Sequence, residues 1–425
     1  MDKKIEMFSD DQLWIDNIQK SINKGIPPVI LSPYTNGEVR AALIRCIEAG
    51  EYRVAPPHIA EIPKDNGKVR KVFVNMPLDR LILGCINDVY YTLYKDKIHP
   101  NCLSYQKGIS VHNILQKVIK QNKHFLGKHE AIGYKVDIHA YFDSVSREVV
   151  NTALDELSTG SPLDQVLRDY YNTDIVIDEN DQVIEHYKSL AQGCAFGTLL
   201  ANYVLRDVDS EISKMVPVYY RYSDDILIIG KDKEAALARL LEMLKEKGLE
   251  VNPKKLEPIY SDTWFTFLGF RINGDKISFS KKSLDNLQKE MMEIIDSSKS
   301  VKKAIKRIND KLYFSYERDH KVFGWAEYFF RTVNIKEDIK VVDFWIRDAL
   351  RAKETGKRKI GGLGVSNCKQ KGILRGTGKN VTSNRKKTEH LLEDNGYVSM
   401  SMLYDLYNID RNVYKAYLKG VENYE

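Results

Sequence analysis

No apolar run in this chain of 425 residues approaches the roughly 20 residues that a bilayer-spanning helix needs, so no membrane association is expected. The first residues, Met1-Asp2-Lys3-Lys4, lead into a polar, acidic segment with no apolar signal-peptide core, and a cytoplasmic protein is expected. Cysteine is scarce. Cys46, Cys85, Cys102, Cys194 and Cys368 are scattered, with none of the short paired spacings of a zinc site, and they read as reduced thiols. No internal repeat is visible. What is there is 43% hydrophobic and 29% charged, the mixture of a soluble globular protein, with length for about two to four compact units.

The net charge of +6 is unevenly placed. Between Arg351 and Lys387 stand twelve Lys or Arg and a single acid, Glu354, so the rest of the chain is net acidic. Gly356, Gly361, Gly362, Gly364, Gly372, Gly376 and Gly378 interrupt the same stretch. A basic, glycine-rich block of this kind is either a flexible polyanion-binding segment or a solvated linker.

Periodicity divides the remainder. Residues 10–50 read as mainly helical, with Leu13, Ile15, Ile18 and Ile22 roughly in phase. Ile62 to Val74 reads as a hairpin turning at Asp65-Asn66-Gly67. Residues 78–95 and Gly197 to Ile212 read as helices, and Glu234 to Lys247 as an amphipathic helix stopped by Gly248. Tyr134 to Ile138 is a short strand, and Phe265 to Phe279 a hairpin turning at Asn273-Gly274-Asp275. Helical texture runs from Lys282 to about Leu350 and returns in a Tyr-rich tail over 388–425. The order of elements between 131 and 280 predicts an α+β fold, a small antiparallel sheet backed by helices.

Tyr222-Ser223-Asp224-Asp225 lies between two apolar runs, Val216 to Tyr219 and Ile226 to Ile229, as the tip of a hairpin. Adjacent aspartates repel each other, and a fold accepts them where a divalent cation neutralises the pair; hard carboxylate oxygens suit Mg²⁺. Asp137, ending its own strand, is the third candidate ligand, and Asp143 reads as structural. Together they match a two-metal site that activates a hydroxyl and steadies a leaving pyrophosphate. Phe142, five residues after Asp137, is either a ring beneath an incoming sugar, excluding a 2′-hydroxyl, or plain core packing. Lys64, Lys68 and Arg70 are candidates to grip a triphosphate. Gln192 and Gly193 offer hydrogen bonds and close backbone approach to a template or nucleotide. Lys255 is placed to give a proton to pyrophosphate or to offset charge, and Phe267-Leu268-Gly269-Phe270 to brace a primer strand.

Read in order, these segments resemble a reverse transcriptase. Lys64 to Val74 resembles the fingertip hairpin, and Ser104-Tyr105-Gln106-Lys107-Gly108 the next finger motif. Asp137 to Asp143, Gln192-Gly193 with Leu200-Ala201-Asn202, Tyr222 to Asp225, Asn252 to Lys255 and Phe267 to Phe270 resemble the successive palm motifs. Gly324-Trp325-Ala326-Glu327-Tyr328 is similar to the thumb of bacterial group II intron enzymes. The likeness covers roughly residues 60–350, and motif order and spacing make it specific.

The resemblance implies a right-hand polymerase fold. N-terminal region and fingers would occupy 1–130, a palm 131–280 (with a fingers insertion at about 145–190), a helical thumb 281–350, and the basic segment with its tail 351–425. It implies two Mg²⁺ ions on Asp137, Asp224, Asp225 and the backbone carbonyl of Ile138. It also implies deoxynucleoside triphosphate substrates, an RNA template, and primer or template contacts at Tyr222, Ser223 and Phe267 to Phe270. With a polymerase upstream, the basic block is expected to bind nucleic acid. The chain lacks the paired cysteines of an intron endonuclease domain and the Asn-Ala-x-x-His and Val-Thr-Gly elements of retron enzymes, and its second palm motif ends Ala-Asn rather than Ser-Gln. By elimination it is similar to compact defence-associated reverse transcriptases, with a size that suits the type 2 class. Such enzymes copy a neighbouring noncoding RNA into cDNA. Cys194-Ala195-Phe196-Gly197 departs from the common Pro-Leu-Ser-Pro version, which leaves template handling open. The alternatives are a noncatalytic, maturase-like RNA-binding protein and a template-independent terminal transferase primed on a tail tyrosine such as Tyr404, Tyr407, Tyr414, Tyr417 or Tyr424. Oligomeric state is not encoded in any motif.

Overall fold

A computed structural model describes residues 2–422 except 64–68, 107, 128–129, 315, 319–320, 357–362, 364–391 and 393. The chain divides into two compact units, Met1–Ile109 with Ala131–Ile259, and Ser110–Glu130 with Tyr260–Glu425. No helix among the described residues is long and apolar enough to cross a membrane.

In the first unit, helices Lys3–Phe8, Asp11–Asn23 and Gly37–Glu48 each start on a polar cap. The side chains of Asp2, Asp10 and Asn36 each accept a backbone N–H that the first helical turn leaves unpaired. Pro27, Pro28 and Pro33 divide what the sequence presents as one helical stretch, because proline removes a donor and blocks the preceding turn. The first helix is anchored by Lys4, whose buried ammonium donates to the Leu157 carbonyl (2.7 Å), pairs with Asp164 and lies 4.2 Å from the centre of the Tyr90 ring. The hairpin expected around residue 66 is present as His58–Pro63 paired antiparallel with Val69–Val74. Ile175–Ile177 adds in parallel to its first strand, and Val183–Glu185 completes a four-stranded sheet.

A second four-stranded sheet has the order Val218–Tyr222, Asp225–Ile229, Ala131–Asp137, Glu257–Tyr260. Successive residues of a strand face opposite sides. One face carries Val136, Ile226, Ile228 and Tyr219 into a core shared with helices Ala195–Tyr203, Arg206–Met215 and Lys233–Glu246. The single helix expected over 197–212 is two helices. Buried Val204 and Leu205 make the bend, which brings Leu199 and Leu200 from one half and Val208 and Ile212 from the other into one core.

In the second unit, the segment expected as one hairpin is a three-stranded antiparallel sheet, Phe265–Phe267, Phe270–Asn273 and Lys276–Phe279. Its extra turn is Leu268-Gly269, with φ of 50° and 81°, the left-handed pair that matches strand twist in a tight hairpin. Helices Lys281–Ser297, Val301–Asn309 and Lys336–Thr355 follow, and the helical run expected from Lys282 to about Leu350 is interrupted by an antiparallel pairing of Tyr316–Arg318 with Lys321–Phe323. The tail forms helices Met400–Ile409 and Arg411–Glu422, and Tyr404, Tyr407 and Tyr414 pack around Phe330. Buried Asp343 ties the tail down by accepting from the Tyr397 hydroxyl (2.7 Å), the Ser399 hydroxyl (2.8 Å) and the Met400 N–H (3.0 Å). Most of the basic block lies outside the described residues.

Candidate active site

Strand register brings the aspartates together. Asp137 stands directly opposite Asp225 in the pairing of Ala131–Asp137 with Asp225–Ile229, and Tyr222 stands opposite Asp225 on its other side. The turn between the last two strands is shorter than the tetrad: only Ser223 and Asp224 lie outside the ladder. The Ile138 N–H donates to the Asp224 carbonyl (2.9 Å), which fixes the turn against the end of the Asp137 strand. Three carboxylates are thereby held where the two central strands of the sheet end, and like charges directly across a ladder are destabilising.

Two lysines answer that charge. Lys255 donates to Asp137 Oδ2 at 2.6 Å from the short 3₁₀ turn Pro253–Lys255. Lys135 Nζ lies 3.4 Å from Asp225 Oδ1. It precedes Asp137 by two residues, so it shares the face on which Asp137 and Asp225 stand. The compensation is incomplete. Burial, reinforced by Asp137, raises the Asp224 carboxyl above its ordinary range. Burial also raises Asp225, with Asp224 and Asp137 adding to it and Lys135 opposing. Burial works against the Lys255 ammonium, but its hydrogen bond to Asp137 and the charges of all three aspartates outweigh this and push its pKa up.

Of the other residues singled out by sequence, Arg70 acts on a carboxylate, while Phe142, Gln192 and Gly193 are tied to neighbouring backbone. Arg70 lies on the exposed edge of Val69–Val74, and its charge acts on Asp224 and on Tyr105. Phe142 is half-buried in the helix Tyr141–Ser144, where its ring packs edge-on to Tyr141 at 5.9 Å. Its carbonyl accepts from the Leu190 N–H (3.2 Å), joining it to the segment that carries Gln192 and Gly193. The Gln192 carbonyl accepts from the Phe73 N–H (2.7 Å). Gly193 has φ of 108°, and a Cβ there would stand 2.7 Å from the Phe73 carbonyl oxygen, so only glycine fits. Tyr222 is exposed and Ser223 buried.

Lys64 and Lys68 lie outside the described residues. Phe267, Leu268, Gly269 and Phe270 belong to the second unit, where Leu268 and Gly269 form a turn and Phe270 packs on Phe329 at 5.2 Å. Sequence reasoning did not place Lys135 or Tyr105 in the site. Tyr105 has a left-handed backbone (φ 58°), and its phenol, raised by burial and opposed by the neighbouring Ser223 hydroxyl, sits within the field of Asp224. Lysine spacing of two from Asp137 was the available signal for the first; membership of the Ser104 to Gly108 finger motif was a weak one for the second.

Among the described residues no three His, Cys, Asp or Glu side chains converge as a ready-made metal cage. The donor chemistry nonetheless fits a divalent cation: Asp137, Asp224 and Asp225 offer hard oxygens, and burial raises the Asp224 and Asp225 carboxyls, a cost that a cation beside them would relieve. An open carboxylate set of this kind suits Mg²⁺, which takes one or two carboxylates and completes its shell with water and substrate phosphates.

Residues 62–272 match the family described as reverse transcriptase (RNA-dependent DNA polymerase). The Gag-Pro-Pol polyprotein of simian retrovirus SRV-2 is 38% identical over 109 residues, 24% of this chain and 6% of that protein. A putative COX1/OXI3 intron 1 protein of Saccharomyces cerevisiae is 24% identical over 174 residues, 40% of this chain and 20% of that protein. The chain therefore spans only a small part of either relative. Among solved structures, apo telomerase from Candida tropicalis aligns at 14% identity and a TM-score of 0.40, over 53% of this chain and 56% of that one. Telomerase from Candida albicans, in complex with a fragment of telomeric RNA, aligns at 13% and 0.44, over 76% and 59%.

Proposed function

We propose that this chain, which carries a reverse transcriptase domain over residues 62–272 and has an α+β right-hand polymerase fold, is an RNA-directed DNA polymerase. The observation that carries the reading is Asp137 opposite Asp225 with Asp224 at the adjoining turn, all inside the matched segment. Asp137, Asp224 and Asp225, with the Ile138 carbonyl, would hold two Mg²⁺ ions, whose charge activates a primer 3′-hydroxyl and stabilises the leaving pyrophosphate. In the reaction the 3′-oxygen bonds to the α-phosphorus of a deoxynucleoside triphosphate, and the bond from that phosphorus to pyrophosphate breaks. Arg70, with Lys64 and Lys68, grips the triphosphate. Lys255 supplies a proton to pyrophosphate or offsets its charge. Phe142 lies beneath the sugar and leaves no room for a 2′-hydroxyl. Gln192 and Gly193 align template and nucleotide, while Tyr222, Ser223 and Phe267 to Phe270 support the primer end. The finer reading, supported by the motif set, is a bacterial cytoplasmic enzyme that copies a partner noncoding RNA into cDNA in antiphage defence.

Likeness to the yeast intron protein favours one other reading, a noncatalytic maturase-like RNA binder. Three aspartates at the ends of two paired central strands speak for catalysis, since a binder needs no such repulsion. Protein-primed terminal transfer would be left to the exposed Tyr417, because Tyr404, Tyr407 and Tyr414 of the tail are packed and Tyr424 lies outside the described residues. The test is sequencing of nucleic acid that co-purifies with the wild type and with Asp224→Ala/Asp225→Ala. One discrete RNA in both, with complementary DNA in the wild type alone, is expected. RNA in both with DNA in neither would favour the maturase reading, and homopolymer or protein-linked DNA the terminal transferase.

A further inference from the structure

Directly beneath the Ser223-Asp224 turn lies a polar cluster that touches none of the three aspartates of the site. Arg221 neighbours Tyr222 and therefore faces the opposite side of its strand, into the core. Its guanidinium and the Asp209 carboxylate are both fully buried. The pair is bidentate, Nε to Oδ1 at 2.7 Å and Nη2 to Oδ2 at 2.6 Å, and Tyr219 donates a further hydrogen bond to Oδ1 at 2.6 Å. Nη2 also reaches the Asn202 carbonyl and Cys102 Sγ, each at 3.2 Å. The remaining terminal nitrogen, Nη1, donates to the carbonyl of Ser223 at 3.2 Å.

Ser223 is held from its other end as well. Its N–H donates to Ser104 Oγ (3.1 Å), and that hydroxyl donates to Asn202 Oδ1 (2.8 Å). Asn202 Nδ2 closes the loop by donating to the Ser104 carbonyl (2.7 Å). The Arg221 backbone bonds the same segment twice, from its N–H to the Asn101 carbonyl (3.0 Å) and from the Leu103 N–H to its carbonyl (2.7 Å). Both peptide groups of Ser223 are thus gripped, and Ser223 needs it: its φ of 59° lies in the left-handed region, sparsely populated by residues other than glycine. Burying a full ion pair is expensive, and well-packed apolar residues would fill the same volume at less cost. A purely space-filling role does not call for these charges; a role in fixing one backbone geometry does.

We propose that Arg221, Asp209, Asn202 and Ser104 are positioning residues that lock the Ser223 turn and thereby set the spacing of the Asp224 and Asp225 carboxylates for a divalent cation. The proposal rests on the polymerase reading for its purpose, but its test does not need turnover. The full chain is prepared as wild type, Arg221→Met, Arg221→Lys and Ser104→Ala, and titrated with Mn²⁺ alone while bound ion is followed by electron paramagnetic resonance. Arg221→Met is expected to weaken Mn²⁺ binding by about tenfold or more, as loss of a residue supporting the ligands does elsewhere. Ser104→Ala should weaken it less, and Arg221→Lys should recover part of the loss. In primer extension on an RNA template, kcat should fall in the same order with the KM for deoxynucleotides nearly unchanged. If Arg221→Met does not fold, Ser104→Ala, which removes one hydroxyl, carries the same expectation. Variants that melt earlier but keep wild-type Mn²⁺ affinity would overturn the proposal and reduce the cluster to core filling. Wild-type protein that extends no primer would remove the polymerase reading, while the Mn²⁺ series would still decide the positioning role.

Discussion

Asp224 shows what the site does to a single side chain. Burial and the Asp137 charge raise its carboxyl, so the folded protein holds a proton there more tightly than the unfolded chain. A raised carboxyl costs stability wherever it is ionised: the wild type loses stability as pH rises from the ordinary carboxylate range through the raised folded value, and stays penalised above it. Asp224→Asn removes that penalty. In chelator at pH 7.5 the variant should melt a few degrees above the wild type, and the gap should shrink on acidification towards pH 4. Mg²⁺ should narrow it by stabilising only the wild type. An Asn variant no more stable than the wild type at neutral pH would show that Lys255 and Arg70 already satisfy Asp224. Phe142 bears on selectivity. Trimmed to alanine, it should admit ribonucleotides, lowering discrimination against them by about tenfold or more in single-nucleotide addition. Unchanged discrimination would return Phe142 to a packing role beside Tyr141.

At the scale of the element, the segment from Lys188 to Gly193 joins parts that are far apart in sequence. Its backbone is left-handed at Ser189 (φ 47°), Ala191 (φ 50°) and Gly193 (φ 108°). Hydrogen bonds tie it to Val145 through the Ser189 hydroxyl (2.7 Å), to Phe142 through the Leu190 N–H (3.2 Å) and to Phe73 through the Gln192 carbonyl (2.7 Å). Gly193→Ala would force both a strained φ and a 2.7 Å contact with Phe73 O. It should destabilise the protein by roughly 1–3 kcal/mol in urea unfolding and depress nucleotide addition, since the same loop holds the Phe142 carbonyl. The need for glycine was legible in the Gln192-Gly193 motif; the strain at Ser189 and Ala191 was not, because serine and alanine give no warning of positive φ. Period-two alternation revealed the strands that carry Asp137 and Asp225. It could not reveal that Lys135 meets Asp225, which depends on which strand pairs with which. Nor could it show Arg221 as a core residue bonded to Asp209, for an arginine beside an Asp-Asp pair looks like a substrate-facing charge. The bend at Val204 and Leu205 is equally silent: both are ordinary helix-compatible apolar residues, and only packing decides.

For the whole molecule, the unequal distribution of charge sets the expectation for binding. The formal charge of +6 hides a net acidic body and a block from Arg351 to Lys387 with twelve basic residues. An acidic body repels nucleic acid at long range, so affinity for RNA should come disproportionately from that block, through counterion release. Each phosphate neutralised on a single strand contributes about −0.7 to the slope of log K against log salt. Replacing Lys369, Lys371, Arg375 and Lys379 together with glutamine should therefore flatten the slope by about 3 if all four meet phosphates. The loss of affinity should be large at low salt and small near 1 M, where screening has already removed the attraction. The carboxylate site is untouched by these changes, so kcat at saturating template should hold while the template concentration needed for half-maximal rate rises. An unchanged salt slope would make the block a solvated linker. Phosphate binding would then fall to cations elsewhere, such as Arg70, where a substitution should lower affinity for deoxynucleotides more than for RNA.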